Sequence, residues 1–336
     1  MASLRAYIIT RILLTIPMVF ILLTIVFFIM RAVGDPVTAI VGAHAPPEQV
    51  VRLRGELGLN KPLIYQYFDY IIQLLSGDLG RSLIWGKRPV IAEILDHFPA
   101  TVELTISAFI ISIIIGVFLG VFSASSYGKP LDHTIRFAGI VTYALFIPWF
   151  GMMLQLIFGV YLGWLPIGGR IDPKMYPATI TGLYVLDSIL TWNFEALKSS
   201  ILHLILPSIT LGIVLSGVYI RITRSSMIEV LRQDFIIAAK ARGLPDRIIV
   251  FKHALKNAFI PVLTMMGLQF AILLAGAVLT ETTFSWPGMG TFLLERIQYR
   301  DFTTVQGTIV FFALLVAFVS LVVDIFYAFL DPRVRY

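Results

Sequence analysis

Residues 104–128 read LTISAFIISIIIGVFLGVFSASSYG, 25 consecutive positions without a charged side chain. A helix rises about 1.5 Å per residue and the hydrocarbon layer of a bilayer is about 30 Å thick, so roughly 20 such residues make one crossing. Working outward, five more runs of that kind lie within Ile12–Met30, Phe137–Gly169, Ser199–Ile220, Asn257–Thr280 and Phe302–Val323. Composition agrees, with 58% hydrophobic and 14% charged residues in 336 positions, where soluble domains carry about 25% charge. The expected fold is an all-α integral membrane protein with six transmembrane helices. The third run exceeds one crossing and contains Pro148 and Pro166, so it reads as one helix followed by a non-helical exit. Met175–Leu186 is too short to span and reads as interfacial.

Cytoplasmic loops keep an excess of Lys and Arg, and here the excess falls on one side. The loop from Arg221 to Lys256 carries eight basic and three acidic residues. Arg5, Arg11, Lys129, Arg136, Arg333 and Arg335 fall on the same side, against Asp132 and Asp331. The opposite side is balanced, with seven residues of each sign in 31–100. Both termini are therefore expected in the cytoplasm. The apolar part of the first run is too long for a signal peptide and ends in Met30-Arg31, so it reads as an anchor helix. Cysteine is absent, which excludes disulfide scaffolds and thiolate chemistry.

The basic loop contains the cassette AAKARGLPDR at 238–247. Asp234 is placed to cap a short helix, with Phe235, Ala238, Ala239 and Arg242 following on one face. Gly243 suits the left-handed position past a helix end, Leu244 the accompanying contact, and Pro245 forbids continuation. Pro245 also suits the first turn of a second helix, with Ile248, Phe251, Leu255 and Phe259 as its apolar stripe and Arg247, Lys252 and Lys256 in water. A basic loop of this kind could lie on anionic headgroups. That needs the charges but neither the small face nor the bend, which favour a protein partner.

Ala238-Ala239-x-x-x-Gly243 resembles the cytoplasmic loop motif of ABC importer permeases, with Ile237 in place of its glutamate and Pro261 later than its proline. The blocks LGLNKPLIYQYFDYIIQLLSGDLGRSL (57–83), FPATVELT (98–105), HALKNAFIPVL (253–263), ETTFSWPGMG (281–290) and the terminal DPRVRY resemble the dipeptide and oligopeptide branch of that family. The resemblance implies a type I ABC importer permease fold: an anchor helix over 1–31, an extracytoplasmic insert over 32–100, a permease core over 101–330 with a coupling loop at 221–256, and a cytoplasmic tail at 331–336. It implies that Phe235, Ala238, Ala239, Arg242, Gly243 and Leu244 dock on a cytoplasmic ATPase. Trp286, Pro287, Gly288 and Gly290 would lie near the external mouth. The implied partners are a second, related permease forming a heterodimer, two ATPase subunits and a solute-binding protein, with no nucleic acid. The implied cargo is a di- or oligopeptide, with oligosaccharide or nickel as alternatives.

The chain itself lacks a Walker A cradle, since Gly128-Lys129 is followed by Pro130, so ATP and magnesium belong to the partner subunits. No cluster of nucleophile, base and metal ligands points to an enzyme. A self-sufficient channel or secondary carrier is the rival that composition alone allows. Ionisable residues in membrane segments mark function by default. Glu103, Glu281 and Asp324 nevertheless lie near the ends of runs, where capping or anchoring is the expected role; Glu103 falls in a first turn. His203 has no second ligand at helical spacing. In the insert, Pro47 is placed to open a helix, and Tyr65, Phe68, Ile72 and Leu75 form a face expected to pack on the rest of the insert or the membrane interface. Gly267, Ala271, Ala275, Gly276 and Ala277 permit close helix approach, and packing is the expected use. Trp286 itself suits headgroup depth.

Overall fold

The computed structural model describes residues 4–33, 37, 46–56, 58–82, 84, 86–274 and 277–330. The tail at 331–336, with Arg333 and Arg335, lies outside them, as do Ala275 and Gly276. Among the described residues all regular structure is helical, apart from one isolated antiparallel bridge between Arg81 and Pro89. The first apolar run forms α1 (Leu4–Val33), followed by α2 (Pro47–Glu56) and α3 (Leu63–Leu75). Then come α4 (Val90–Ser125), α5 (Pro130–Ala144) and α6 (Ile147–Leu154), the last continuing as a π-helical turn over Gln155–Tyr161. After an irregular stretch follow α7 (Tyr184–Leu190), α8 (Phe194–Leu231) and α9 (Asp234–Ala241). The chain closes with α10 (Asp246–Ile248), a second π turn (Ile249–Ala254), α11 (Leu255–Leu274), α12 (Val278–Thr283), α13 (Met289–Gln298) and α14 (Phe302–Leu330).

Five helices are long and apolar enough to cross a membrane: α1, α4, α8, the continuous stretch Asp246–Leu274, and α14. A sixth crossing is made if α5 and α6 are taken together, bent by 102°. This corrects the third run, whose exit is a second helix. The break falls at Leu145–Phe146, where the backbone is extended and Pro148 then opens α6. Two other boundaries move. The second span begins at Val90, with Pro99 inside the helix, so the core starts before residue 101. The fourth continues past Ile220 to Leu231, because Thr223, Met227 and Val230 keep a buried stripe going at spacings of four and three.

Lipid offers no hydrophobic drive between helices, so spans associate through close van der Waals packing at small residues. The long helices α4 and α8 show this. A Cβ at Gly120 would stand 2.6 Å from that of Thr223, and one at Gly212 would stand 2.7 Å from Ile111. The hydroxyls of Ser107 and Ser208 share a 2.7 Å hydrogen bond in the same seam. Gly267 of α11 is pressed on Val323 of α14 in the same way, which is packing.

At one end of the bundle the C-terminal parts of α4 and α8 meet α9 and the second π turn. The other end gathers the start of α4, the segment before α7, and the Trp286 turn. α1 runs beside α14, with Val26 and Met30 against Val305 and Val310 at one end and Arg11 paired with Asp324 at the other. Helix α3 forms where its apolar pattern puts it, but Tyr65, Phe68, Ile72 and Leu75 are all exposed. Its packed face is Tyr67, Tyr70 and Leu74, set against Phe27 and the Val26–Met30 cluster of α1, with Tyr67 bonded to Thr24 at 2.7 Å. That face wins because α1 supplies both aromatic partners and a hydroxyl, so packing of the other stripe within the insert is set aside.

Candidate functional site

The cassette folds as a tight elbow. Gln233 precedes the first turn of α9, and Asp234 is its first residue and makes no side-chain cap bond. This corrects Asp234 as a cap, although its carboxylate still faces the positive end of the helix dipole. The helix ends at Gly243, φ +75°, whose N–H donates to the Lys240 carbonyl at 2.9 Å, while Leu244 N–H reaches Ala239 at 3.4 Å. That backbone conformation is left-handed, which costs a side-chain-bearing residue about 1 kcal/mol or more. Pro245, in an extended conformation, starts the return.

Ile236 and Ala239 turn inward and pack with Val121 and Ala124 of α4, Met227 and Val230 of α8, and Ile249, Ala254 and Ala258 of the following segment. Ala239 therefore belongs to the joint and not to the outer face. Phe235, Ile237, Ala238, Ala241 and Arg242 are exposed, nothing stands within 4 Å of a Cβ built on Gly243, and Leu244 is half-buried against the joint. The stripe expected on the second helix is also shifted. Ile248 and Phe251 are exposed, while Ile249, Ala254, Ala258 and Val262 are buried. The π turn over 249–254 bonds each residue to the fifth along and so rotates the face that follows it.

Beside the elbow, Asp132 ties three helices together. It accepts both arms of Arg224 at 2.7 and 2.8 Å, the Ser123 hydroxyl at 2.6 Å and the Gly128 N–H at 3.1 Å. The inner ends of α4, α5, α8 and α11 are thus joined through one apolar cluster and one bidentate ion pair.

At the far end, Trp286 is fully buried, not at headgroup depth, and its indole N–H donates to the Ala100 carbonyl at 2.8 Å. Glu281, also fully buried, accepts from the Thr101 hydroxyl (2.7 Å), Gly290 N–H (2.6 Å) and Thr291 N–H (3.1 Å). Glycine is required at 288 and 290 because a Cβ on either would collide with that carboxylate. The Trp286–Gly290 turn is therefore wrapped around Glu281, whose role is internal. Glu103 changes role too. It lies well inside α4, where its carboxylate takes Arg170 Nε at 2.8 Å and Val185 N–H at 2.8 Å. Arg170 also donates to the Gly182 carbonyl at 2.7 Å and lies 3.8 Å from the centre of the Tyr184 ring. Asp324, half-exposed, pairs with Arg11 at 3.4 Å, and His203 Nδ1 lies 2.8 Å from its own helix at the Ser199 carbonyl. No group of three metal-ligating side chains occurs among the described residues.

Four residues of these networks were not singled out from the sequence: Thr101, Asp132, Arg170 and Asp187. Only Asp187 carried a local signal, an Asp a few residues after a Thr-Gly turn. Burial opposes its ionisation, but the Thr181 hydroxyl and the N–H groups of Thr181, Ile180 and Gly182 outweigh it and hold the carboxyl below the ordinary range. A depressed folded value means that its stabilisation is present above the unfolded value of about 3.9 and is lost as pH falls through the folded one. Proteolysis of the 179–191 segment in detergent should accordingly rise in acid for the wild type. Asp187→Asn should be cleaved faster at neutral pH and show little further change in acid; an unaltered pH profile in the variant would refute this.

Residues 116–336 match the family model described as the inner membrane component of binding-protein-dependent transport systems, and residues 4–105 match the model for the N-terminal membrane component of such systems. The chain is 44% identical over 332 residues to the dipeptide transport system permease protein DppB of Alkalihalophilus pseudofirmus, covering 98% of this chain and 99% of that one. It is 41% identical over 333 residues to the di/tripeptide transport system permease protein DppB of Pseudomonas aeruginosa, again 98% and 99%. In fold it is similar to a solved structure of the MetNI methionine ABC transporter in inward-facing conformations, with a TM-score of 0.54, 14% identity, and 72% of this chain and 97% of that chain covered. With a joined elbow at one end, a sealed polar cluster at the other and these matches across its length, the chain belongs to the inner membrane components of binding-protein-dependent transport systems, the permease subunits of ABC importers.

Proposed function

We propose that this chain is one half of the membrane pathway of an importer for short peptides, driven through its elbow by a cytoplasmic ATPase. The observation that carries the cargo class is likeness over essentially the whole length to permeases named for dipeptides and di/tripeptides. The basic excess of the elbow end supports a cytoplasmic position for that end and, since Arg11 and Asp324 share it, for both termini. The insert and the Trp286 turn then face outside, where a solute-binding protein delivers cargo. Trp286, Pro287, Gly288 and Gly290 close over Glu281 there and shape the mouth from beneath.

Partners follow from the same reading: a second, related permease as the other half, two ATPase subunits below, and ATP with magnesium held by them. ATP-driven closure of the ATPase pair does work on this chain only if it contacts the elbow differently in two states. Because Ile236 and Ala239 are packed into α4, α8 and α11, a displaced elbow carries those inner ends with it, a rigid-body transition about the packed seams above.

Proteoliposomes holding the chain with its companion permease and ATPase subunits should take up a labelled dipeptide when ATP and the binding protein are supplied. The chain alone should take up none. Uptake of an oligosaccharide or of nickel in place of peptide overturns the cargo, and flux through the chain alone overturns the ATP-driven mechanism.

A further inference from the structure

Near the elbow, the facing sides of α5 and α8 enclose an opening of about 420 Å³. The helices touch at Gly139 and Gly217, where a Cβ on Gly217 would lie 2.8 Å from the Thr142 hydroxyl. Beside that contact the opening is lined by Arg136, Ile140 and Tyr143 of α5 and by Arg221, Arg224 and Ser225 of α8, with no acidic side chain in its wall. Arg224 is neutralised by Asp132. Arg136 and Arg221 are exposed and have no ion-pair partner among the described residues.

The heights of these residues matter. Arg136 immediately precedes the uncharged run that opens at Phe137, and Arg221 immediately follows the one that closes at Ile220. The two unneutralised cations therefore stand at the hydrocarbon edge. Ile140 and Tyr143, 65% and 64% exposed, lie one and two turns further in. A cationic floor under an apolar, aromatic wall matches a molecule with an anionic head and a hydrocarbon body. Guanidinium groups hold phosphate oxygens through paired N–H donors, which ammonium groups do not reproduce in geometry.

We infer that Arg136 and Arg221 form a binding site for the phosphate headgroup of an anionic phospholipid in the leaflet on the elbow side, its acyl chains lying along Ile140 and Tyr143. Free phosphate shares the head chemistry but not the wall. A lipid held here bridges α5 and α8 beside the Asp132 network, so the anionic content of the membrane bears on the stiffness of the inner end.

The assembled transporter, in detergent, is titrated with phosphatidylglycerol or phosphatidylcholine and bound lipid is counted by native mass spectrometry. The wild type should retain one phosphatidylglycerol that Arg136→Gln/Arg221→Gln binds about 30-fold more weakly, roughly fivefold for each arginine. Phosphatidylcholine binding should be the same in both, and Arg136→Lys/Arg221→Lys should keep most of the phosphatidylglycerol affinity because the charges persist. Equal retention of phosphatidylglycerol by the wild type and the glutamine variant overturns the site, as it would if a second permease covers the opening. Displacement of phosphatidylglycerol by inorganic phosphate at equal concentration overturns the lipid and leaves a phosphate site.

Discussion

Ala238→Arg should leave the chain folded and inserted but reduce ATP-dependent uptake by about 100-fold or more. Its side chain points outward from α9 with no room needed from the joint, and exposed substitutions of this kind shift stability by about 0.5 kcal/mol or less. Pressed against an ATPase surface, however, the new guanidinium loses water without gaining a partner, a cost of about 3–5 kcal/mol, or roughly two to three and a half decades in affinity. Co-purification of the ATPase subunits should fall in parallel, with the thermal unfolding of the permease unchanged. Ala239→Arg differs, because it drives a charge into the cluster of Val121, Met227 and Ile249 and should lower the unfolding temperature as well. Normal uptake and normal ATPase retention in Ala238→Arg would remove the elbow from the coupling path.

The second large effect is at the opposite end. Glu103→Gln should destabilise the detergent-solubilised protein by about 3–5 kcal/mol, because it strands the Arg170 guanidinium in a site where both partners are under a tenth exposed. Arg170→Met should cost a similar amount by stranding the carboxylate. Combined, the two should cost much less than their sum, since an apolar replacement of a buried ion pair is often close to neutral. Thermal unfolding of the four proteins reads the coupling directly. Strict additivity would mean that the pair contributes no mutual stabilisation and that other contacts hold the 170–185 segment against α4.

The spans were legible because an uncharged run of about 20 residues has few fates other than crossing a bilayer. Their ends were less so. Helix α8 runs on through Arg221 and Arg224, since charged residues end an apolar run without ending a helix, and only the Thr223–Met227–Val230 spacing signals the continuation. Helix α4 begins before Pro99, a residue that reads as a start but sits inside the helix, where other groups re-satisfy the freed backbone. The elbow's bend was legible from Gly243 and Pro245 because both restrict backbone angles locally. Which alanine faced outward was not, because that depends on where α4 and α8 stand. Arg170 and Glu103 are far apart in the chain, and nothing in the local pattern of either names the other. Asp132 looked like one more loop charge until Arg224 was placed beside it.

The wide turn at Ile249–Ala254 has a consequence for length variation. A π turn is an α turn holding a surplus residue, so removing any one residue there lets the segment relax to ordinary helix and swings everything after it by about 100°. Gly267 would then face away from Val323, and the seam between α11 and α14 would open. Natural relatives should accordingly tolerate exchange of side chains at 249–254 far more readily than a single-codon deletion, and any that has lost the residue should show a compensating insertion before Gly267.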